Sequence, residues 1–208
     1  KQAKRETDIL LNPRTSISLS FASYRVCIVL DISKSSFAMR EDFVIPFAVL
    51  SKGAVTMVEQ LSETLKESKI VNSMAVSIIA ATGAEHDPAV VVWEGELSAE
   101  TNKALLEPML TGIMARLEAK IYEIRTTENN NSTSVKDGGA SQSQEFPSIT
   151  HFLSRANDRL AHFPSFSAPI IALFTSANID VKHDQARQLL LHHNSTLHCI
   201  VDGNPSSG

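Results

Sequence analysis

The chain contains 208 residues, of which 43% are hydrophobic and 20% are charged, and its formal net charge is −4. This length suits one α/β domain with a tail or a large insertion, and the apolar content is sufficient for a core. The mild charge argues against a nucleic-acid-binding surface, which needs clustered basic residues. No stretch approaches the roughly 20 apolar residues of a membrane span, and residues 1–15 are too polar for a secretory signal.

The two ends of the sequence differ from its middle. We predict that residues 1–22 are a polar lead-in and that residues 23–208 form the domain. The first residue is not methionine, and no closing element is present in the final Ser206-Ser207-Gly208. We therefore expect the sequence to be a piece of a longer protein.

The first half of the domain alternates between strand and helix patterns. The segment Arg25–Leu30 is apolar after its first residue, which is typical of a central strand buried on both faces. Apolar residues repeat near a 3.6-residue period over 42–67, and again from a cap at Ser98 to about Arg125, which predicts two helices. Between them, Met74–Ala81 and Ala89–Gly95 are predicted strands, and the short turn that joins them requires an antiparallel hairpin.

The second half begins with a long polar segment. Residues 126–146 consist mostly of Asn, Ser, Thr, Gly and Gln, which predicts a disordered insertion inside the domain. A helix over 149–163, a strand over 169–175, a helix over 184–193 and a strand over 196–201 follow. This order predicts a doubly wound, mostly parallel sheet of the Rossmann type, with one antiparallel edge strand.

Cys27 and Cys199 each lie within an apolar run that predicts a buried strand. Two buried thiols that are far apart in sequence are typical of core residues in a reducing compartment. A disulfide would require the two strands to bring the Cα atoms close together.

Asp31, Ser33 and Ser35 form a D-x-S-x-S motif directly after the first predicted strand. Ligands of open α/β sheets bind beyond the carboxyl ends of the strands. Hard divalent cations prefer carboxylate, hydroxyl and water oxygens in octahedral geometry. The motif therefore supplies part of a metal site.

Residues 24–208 resemble a von Willebrand factor A domain, because the D-x-S-x-S motif is followed by a long helix, a hairpin, helices, a strand, a helix and a strand. The resemblance implies two further metal ligands. One is a Thr in the loop before the helix that precedes the fourth strand, and the other is an Asp in a T-D-G turn after that strand.

The sequence departs from the family at both of these positions. Ser176 stands where the family has the acidic ligand, and Pro147 or Ser148 stands about where the Thr is expected. Asp180 is a substitute for the acidic ligand only if its loop folds back. With Asp31 as the one certain carboxylate, Mg²⁺ binding should be weak. We favour the interpretation that Asp31, Ser33 and Ser35 cap the following helix and tie the loop through bonds from side chain to backbone.

The remaining polar residues form no catalytic pattern. The seven histidines lack the spacing of a metal site and are predicted to be scattered on the surface, and Glu85-His86-Asp87 is predicted to be a polar turn. No set of nucleophile, base and oxyanion donors can be assembled. We therefore expect no catalytic residue, no cofactor other than weakly bound Mg²⁺, and no enzyme activity.

Some intracellular members of this family are scaffold proteins. The segment from Tyr24 to Ser36 resembles the N-terminal region of scaffold members of the KICSTOR type. This resemblance implies a non-catalytic module of a large cytoplasmic scaffold at the lysosomal surface, which contacts other protein subunits and regulates TOR signalling in response to nutrients. The alternative is a metal-dependent adhesion or ligand-binding domain. A complete family domain has one more strand and helix, so an unpaired sheet edge or an apolar face is also expected.

Overall fold

The structure, a computed structural model, describes residues 23–38, 44–68, 71, 73–86, 89–98, 103–132, 147–163, 169–176 and 179–202. The predicted lead-in over 1–22 lies outside the described residues. None of the helices within the described ranges is both long enough and apolar enough to cross a membrane.

In the described part of the chain, five strands form one sheet in the order β3-β2-β1-β4-β5. Their bounds are β1 Ser23–Asp31, β2 Ser73–Ala81, β3 Val90–Ser98, β4 Pro169–Ser176 and β5 Thr196–Asp202. The β2–β3 pair is antiparallel, and the β1–β2, β1–β4 and β4–β5 pairs are parallel. The predicted class, a mostly parallel Rossmann-like sheet with one antiparallel edge strand, is confirmed.

Within the described ranges, five helices accompany the sheet: α1 Lys34–Phe37, α2 Pro46–Glu67, α3 Lys103–Ser132, α4 Ile149–Leu160 and α5 His183–His193. Helices α2 and α3 contribute to the core on one face of the sheet, and α4 and α5 contribute to the core on the other face. Strand β1 supplies both cores, because side chains of a strand alternate between its faces. Val26, Ile28 and Leu30 are buried on the first face, and Cys27 and Val29 are buried on the second.

The helix boundaries differ from the prediction at several places. Ser98, the predicted cap of α3, is the last residue of β3, and α3 begins at Lys103. Helix α4 ends at Leu160 and not at residue 163. Helix α2 begins at Pro46, since proline is favoured at the first helical position, whereas the sequence pattern began at Asp42. The short helix α1 was not predicted. Helix α3 passes through Pro108 without ending and continues to Ser132, so residues 126–132 of the predicted disordered insertion are helical. Extending an existing helix into polar residues costs under about 0.7 kcal/mol per residue, far less than starting a new one. Residues 133–146 of that insertion lie outside the described residues.

The two cysteines occupy different environments. Cys27 is buried at the centre of the sheet, where it pairs with Ile171 of β4, while Cys199 is exposed and pairs with Leu173 on the other side of β4. The two cysteine strands are therefore separated by one strand, about 10 Å, which is beyond disulfide reach. Both thiols are free.

The prediction that β5 is buried was wrong. Cys199, Ile200 and Val201 are all exposed, and Ile200 and Val201 retain 39% and 51% of their accessible surface. Strand β5 ends the sheet, and no described strand pairs with its outer side. An apolar run predicts a strand, but its burial depends on neighbours on both sides.

Candidate functional site

The candidate site lies at the carboxyl edge of the sheet, where the adjacent parallel strands β1 and β4 end. Asp31 is the last residue of β1, and Ser176 is the last residue of β4. The last aligned pair of these strands is Leu30 with Phe174, so Asp31 lies next to Thr175. The structure therefore brings the end of the D-x-S-x-S strand and the Thr175-Ser176 end of β4 together, as the family resemblance implied.

The Asp31 carboxylate is completely buried and bonds to two groups of the chain. Its Oδ1 accepts a hydrogen bond of 2.8 Å from the backbone N–H of Ser33. Its Oδ2 accepts a hydrogen bond of 2.7 Å from the hydroxyl of Thr175. Hydrogen bonds to a charged acceptor are short and strong, so this carboxylate fixes both the turn after β1 and the end of β4.

The hydroxyls of three serine residues lie in a row beside the carboxylate. The Oγ atoms of Ser33 and Ser35 are 2.9 Å apart, and those of Ser35 and Ser176 are also 2.9 Å apart. These hydrogen bonds therefore link the turn after β1 to the last residue of β4. Ser35 is the central member, and it is partly exposed while Ser33 and Ser176 are buried.

These contacts settle how the motif acts on the turn. The long helix α2, which the motif was predicted to cap, begins after Ile45, and Ser33 occupies the N-cap position of α1 without a capping hydrogen bond from its side chain. The predicted capping role was therefore wrong. The predicted tie from side chain to backbone is confirmed by the bond from the N–H of Ser33 to Asp31. The capping role fails because the Ser33 hydroxyl bonds to Ser35 instead.

Thr175 is a residue of the network whose contact with Asp31 the sequence did not identify. Its hydroxyl is buried and donates to Asp31. The sequence signal was its position at the end of the fourth predicted strand, level with Asp31 in the neighbouring strand. Recognising this signal requires the register between β1 and β4, which a single sequence does not give.

The residues considered as further metal ligands make their contacts outside the network of Asp31 and the three serines. The buried hydroxyl of Ser148 contacts the hydroxyl of Thr150 at 2.8 Å. The carboxylate of Asp180 is half-exposed and lies 3.9 Å from the ammonium group of Lys182. The backbone N–H of Asp180 donates to the carbonyl of Pro147 at 2.9 Å, so the two loops do meet, but through their backbones.

The donor set is therefore a poor match for a hard divalent cation. Such an ion needs several oxygen ligands and gives up its own water reluctantly. Asp31 is the only carboxylate in the network of contacts described above, and both of its oxygens already accept hydrogen bonds. In the described part of the chain, no group of three or more His, Cys, Asp or Glu side chains could hold a metal ion.

The turn after β2 is held against α4 beside this site. The carbonyl oxygen of Gly83 accepts hydrogen bonds from the N–H of Ser148 and from Nδ1 of His151, each of 3.0 Å. Gly83 has a φ of +73°, and a Cβ there would lie 2.7 Å from Phe152 and Pro147, so glycine is required.

The same turn contains part of the Glu85-His86-Asp87 sequence. The guanidinium of Arg155 donates to the backbone carbonyl of Glu85 at 2.9 Å. Glu85 and His86 are exposed, and Asp87 lies outside the described residues. The two described residues of the segment are exposed as predicted for a polar turn, and the backbone of Glu85 is held by Arg155.

No protein-family model matches the sequence, and no curated protein matches it. The class of protein that the fold defines is thus an α/β domain with a Rossmann-like, mostly parallel sheet. A more specific family and function follow below as proposals.

Proposed function

We propose that the chain is a von Willebrand factor A-like module that binds other proteins without catalysis and without a metal ion. The proposal is supported by the D-x-S-x-S motif at the carboxyl end of β1 and by the strand order around it. The observation that carries it is the Asp31 carboxylate, whose two oxygens both accept hydrogen bonds from the chain itself.

The chemistry of the network favours a structural role for this edge of the sheet. A buried carboxylate is costly unless hydrogen bonds compensate the loss of water, and here Ser33 and Thr175 supply them. The replacement of an acidic residue by Ser176 removes the second negative charge and adds a neutral hydroxyl that bonds to Ser35. The edge is thereby closed by the protein's own atoms, and the fold can present its surface to partners without a cation.

We further propose that the module belongs to a large intracellular scaffold. The support is the likeness of Tyr24–Ser36 to the N-terminal region of the KICSTOR scaffold protein, also called the seizure-threshold protein. In this proposal the module contacts subunits of a large complex at the lysosomal membrane surface and takes part in restraining the TOR kinase when nutrients are withdrawn.

Chelation tests whether partner binding needs a metal ion. The natural full-length protein would be isolated with its bound partners and washed either with Mg²⁺ or with EDTA. We expect the same partners in both samples, because Asp31 is satisfied without a cation. Partners that are released by EDTA and rebind after Mg²⁺ is restored would overturn the metal-free proposal.

Deletion tests the proposed link to the TOR kinase. Removing residues 23–202 from the natural protein should leave phosphorylation of TOR substrates high after amino acids are withdrawn. Cells that express the intact protein serve as the control. A normal fall in phosphorylation in the deletion cells would contradict the TOR assignment. It would not affect the proposal of metal-free partner binding, which the chelation experiment tests.

The second candidate function is a metal-dependent adhesion or ligand-binding domain. The observation in its favour is that Asp31, Ser33, Ser35 and Ser176 meet at one edge of the sheet. In that case Asp31, Ser33 and Ser35 would hold Mg²⁺ weakly, and an acidic group of the ligand would complete its coordination. The chelation experiment separates the two candidates, because only this one predicts release by EDTA.

A further inference from the structure

We draw no further inference here: the strongest candidate, the open apolar groove of about 710 Å³ between α2 and the exposed strand β5, lined by Val49, Met57, Phe174 and Ile200 with Lys52 and His198, carries nothing because nothing in the structure shows what covers it.

Discussion

Strands β1 and β5 have similar apolar sequences but opposite environments in the same sheet. Strand β1 has β2 on one side and β4 on the other, and its residues from Val26 to Asp31 are buried. Strand β5 pairs with β4 alone among the described strands, and most of its residues are exposed. Residue type is comparable in the two strands, so the difference arises from the number of neighbours.

The aspartate residues at the ends of these two strands also differ in burial. Asp31, at the end of β1, is buried and accepts hydrogen bonds from two other residues. Asp202, at the end of β5, is half-buried. A polar group at a completely buried strand end must be satisfied by the protein, because water does not reach it. This contrast predicts larger effects of substitutions in β1 than in β5.

Thiol labelling should give the largest difference between the two strands. Cys199 is exposed and Cys27 is completely buried, so Cys199 should react with a maleimide in the folded protein at least about 10³-fold faster. The ratio follows from an unfolding free energy of at least about 5 kcal/mol, which Cys27 must overcome to react. Mass spectrometry of the labelled peptides over time would measure both rates. Comparable rates would show that the central strand is not protected.

Removal of the Asp31 carboxylate should have the largest effect on stability. Asp31→Ala leaves the N–H of Ser33 and the hydroxyl of Thr175 without their acceptor, which should lower the free energy of unfolding by about 2–5 kcal/mol. Urea denaturation measures this change. The matched variant Thr175→Val and the double variant should show a coupling energy of about 0.5–3 kcal/mol. Additive effects of the two substitutions would contradict the hydrogen bond between them.

The same apolar substitution in the two strands sharpens the comparison further. Val29→Ala removes two buried methyl groups at the centre of the sheet and should cost about 2–3 kcal/mol, whereas Val201→Ala should cost less than about 0.5 kcal/mol. The two residues are the same type on the same face of the sheet, so their environment is the variable. Equal losses in urea denaturation would mean that β5 is as buried as β1.

Burial of Cys27 should make stability depend on pH at alkaline values. Burial raises the pKa of this thiol to about 12 from 9.0, although the positive charge of Arg159 lowers it. The unfolded thiol ionises above pH 9 while the folded one keeps its proton, so the stabilisation is complete below pH 9 and is lost as pH rises towards 12. The slope is up to about 1.4 kcal/mol per pH unit. Cys27→Ala should lose this component, and an unchanged slope in that variant would assign the pH dependence to other groups.

The sequence alone predicted the parts of the fold that depend on local pattern. The hairpin of β2 and β3 followed from their short connection, and the burial of β1 followed from its continuous apolar run. The resemblance to the von Willebrand factor A family implied that Ser176 lies near Asp31, Ser33 and Ser35, and the structure brings these residues together.

Other features depend on distant neighbours and could not be predicted in this way. The hydrogen bond of Thr175 with Asp31 depends on the register of β1 and β4 and on a side-chain rotamer. The exposure of Cys199 depends on the position of β5 at the end of the described sheet, and the expectation of an unpaired edge did not say which strand forms it. Helix α3 extends to Ser132 although residues 126–132 are polar. Polar composition opposes a helix only weakly, so it does not determine where α3 ends.

The central claim is that the chain's own hydrogen bonds close the Asp31 network without a metal ion. Calorimetric titration of the purified chain with Mg²⁺ and Mn²⁺ tests it most directly. The account predicts no saturable binding by the wild type in the millimolar range. It also predicts saturable binding by Ser176→Asp, which adds a second carboxylate beside Ser35. Saturable binding by the wild type that Asp31→Ala abolishes and Ser35→Ala weakens would contradict the claim.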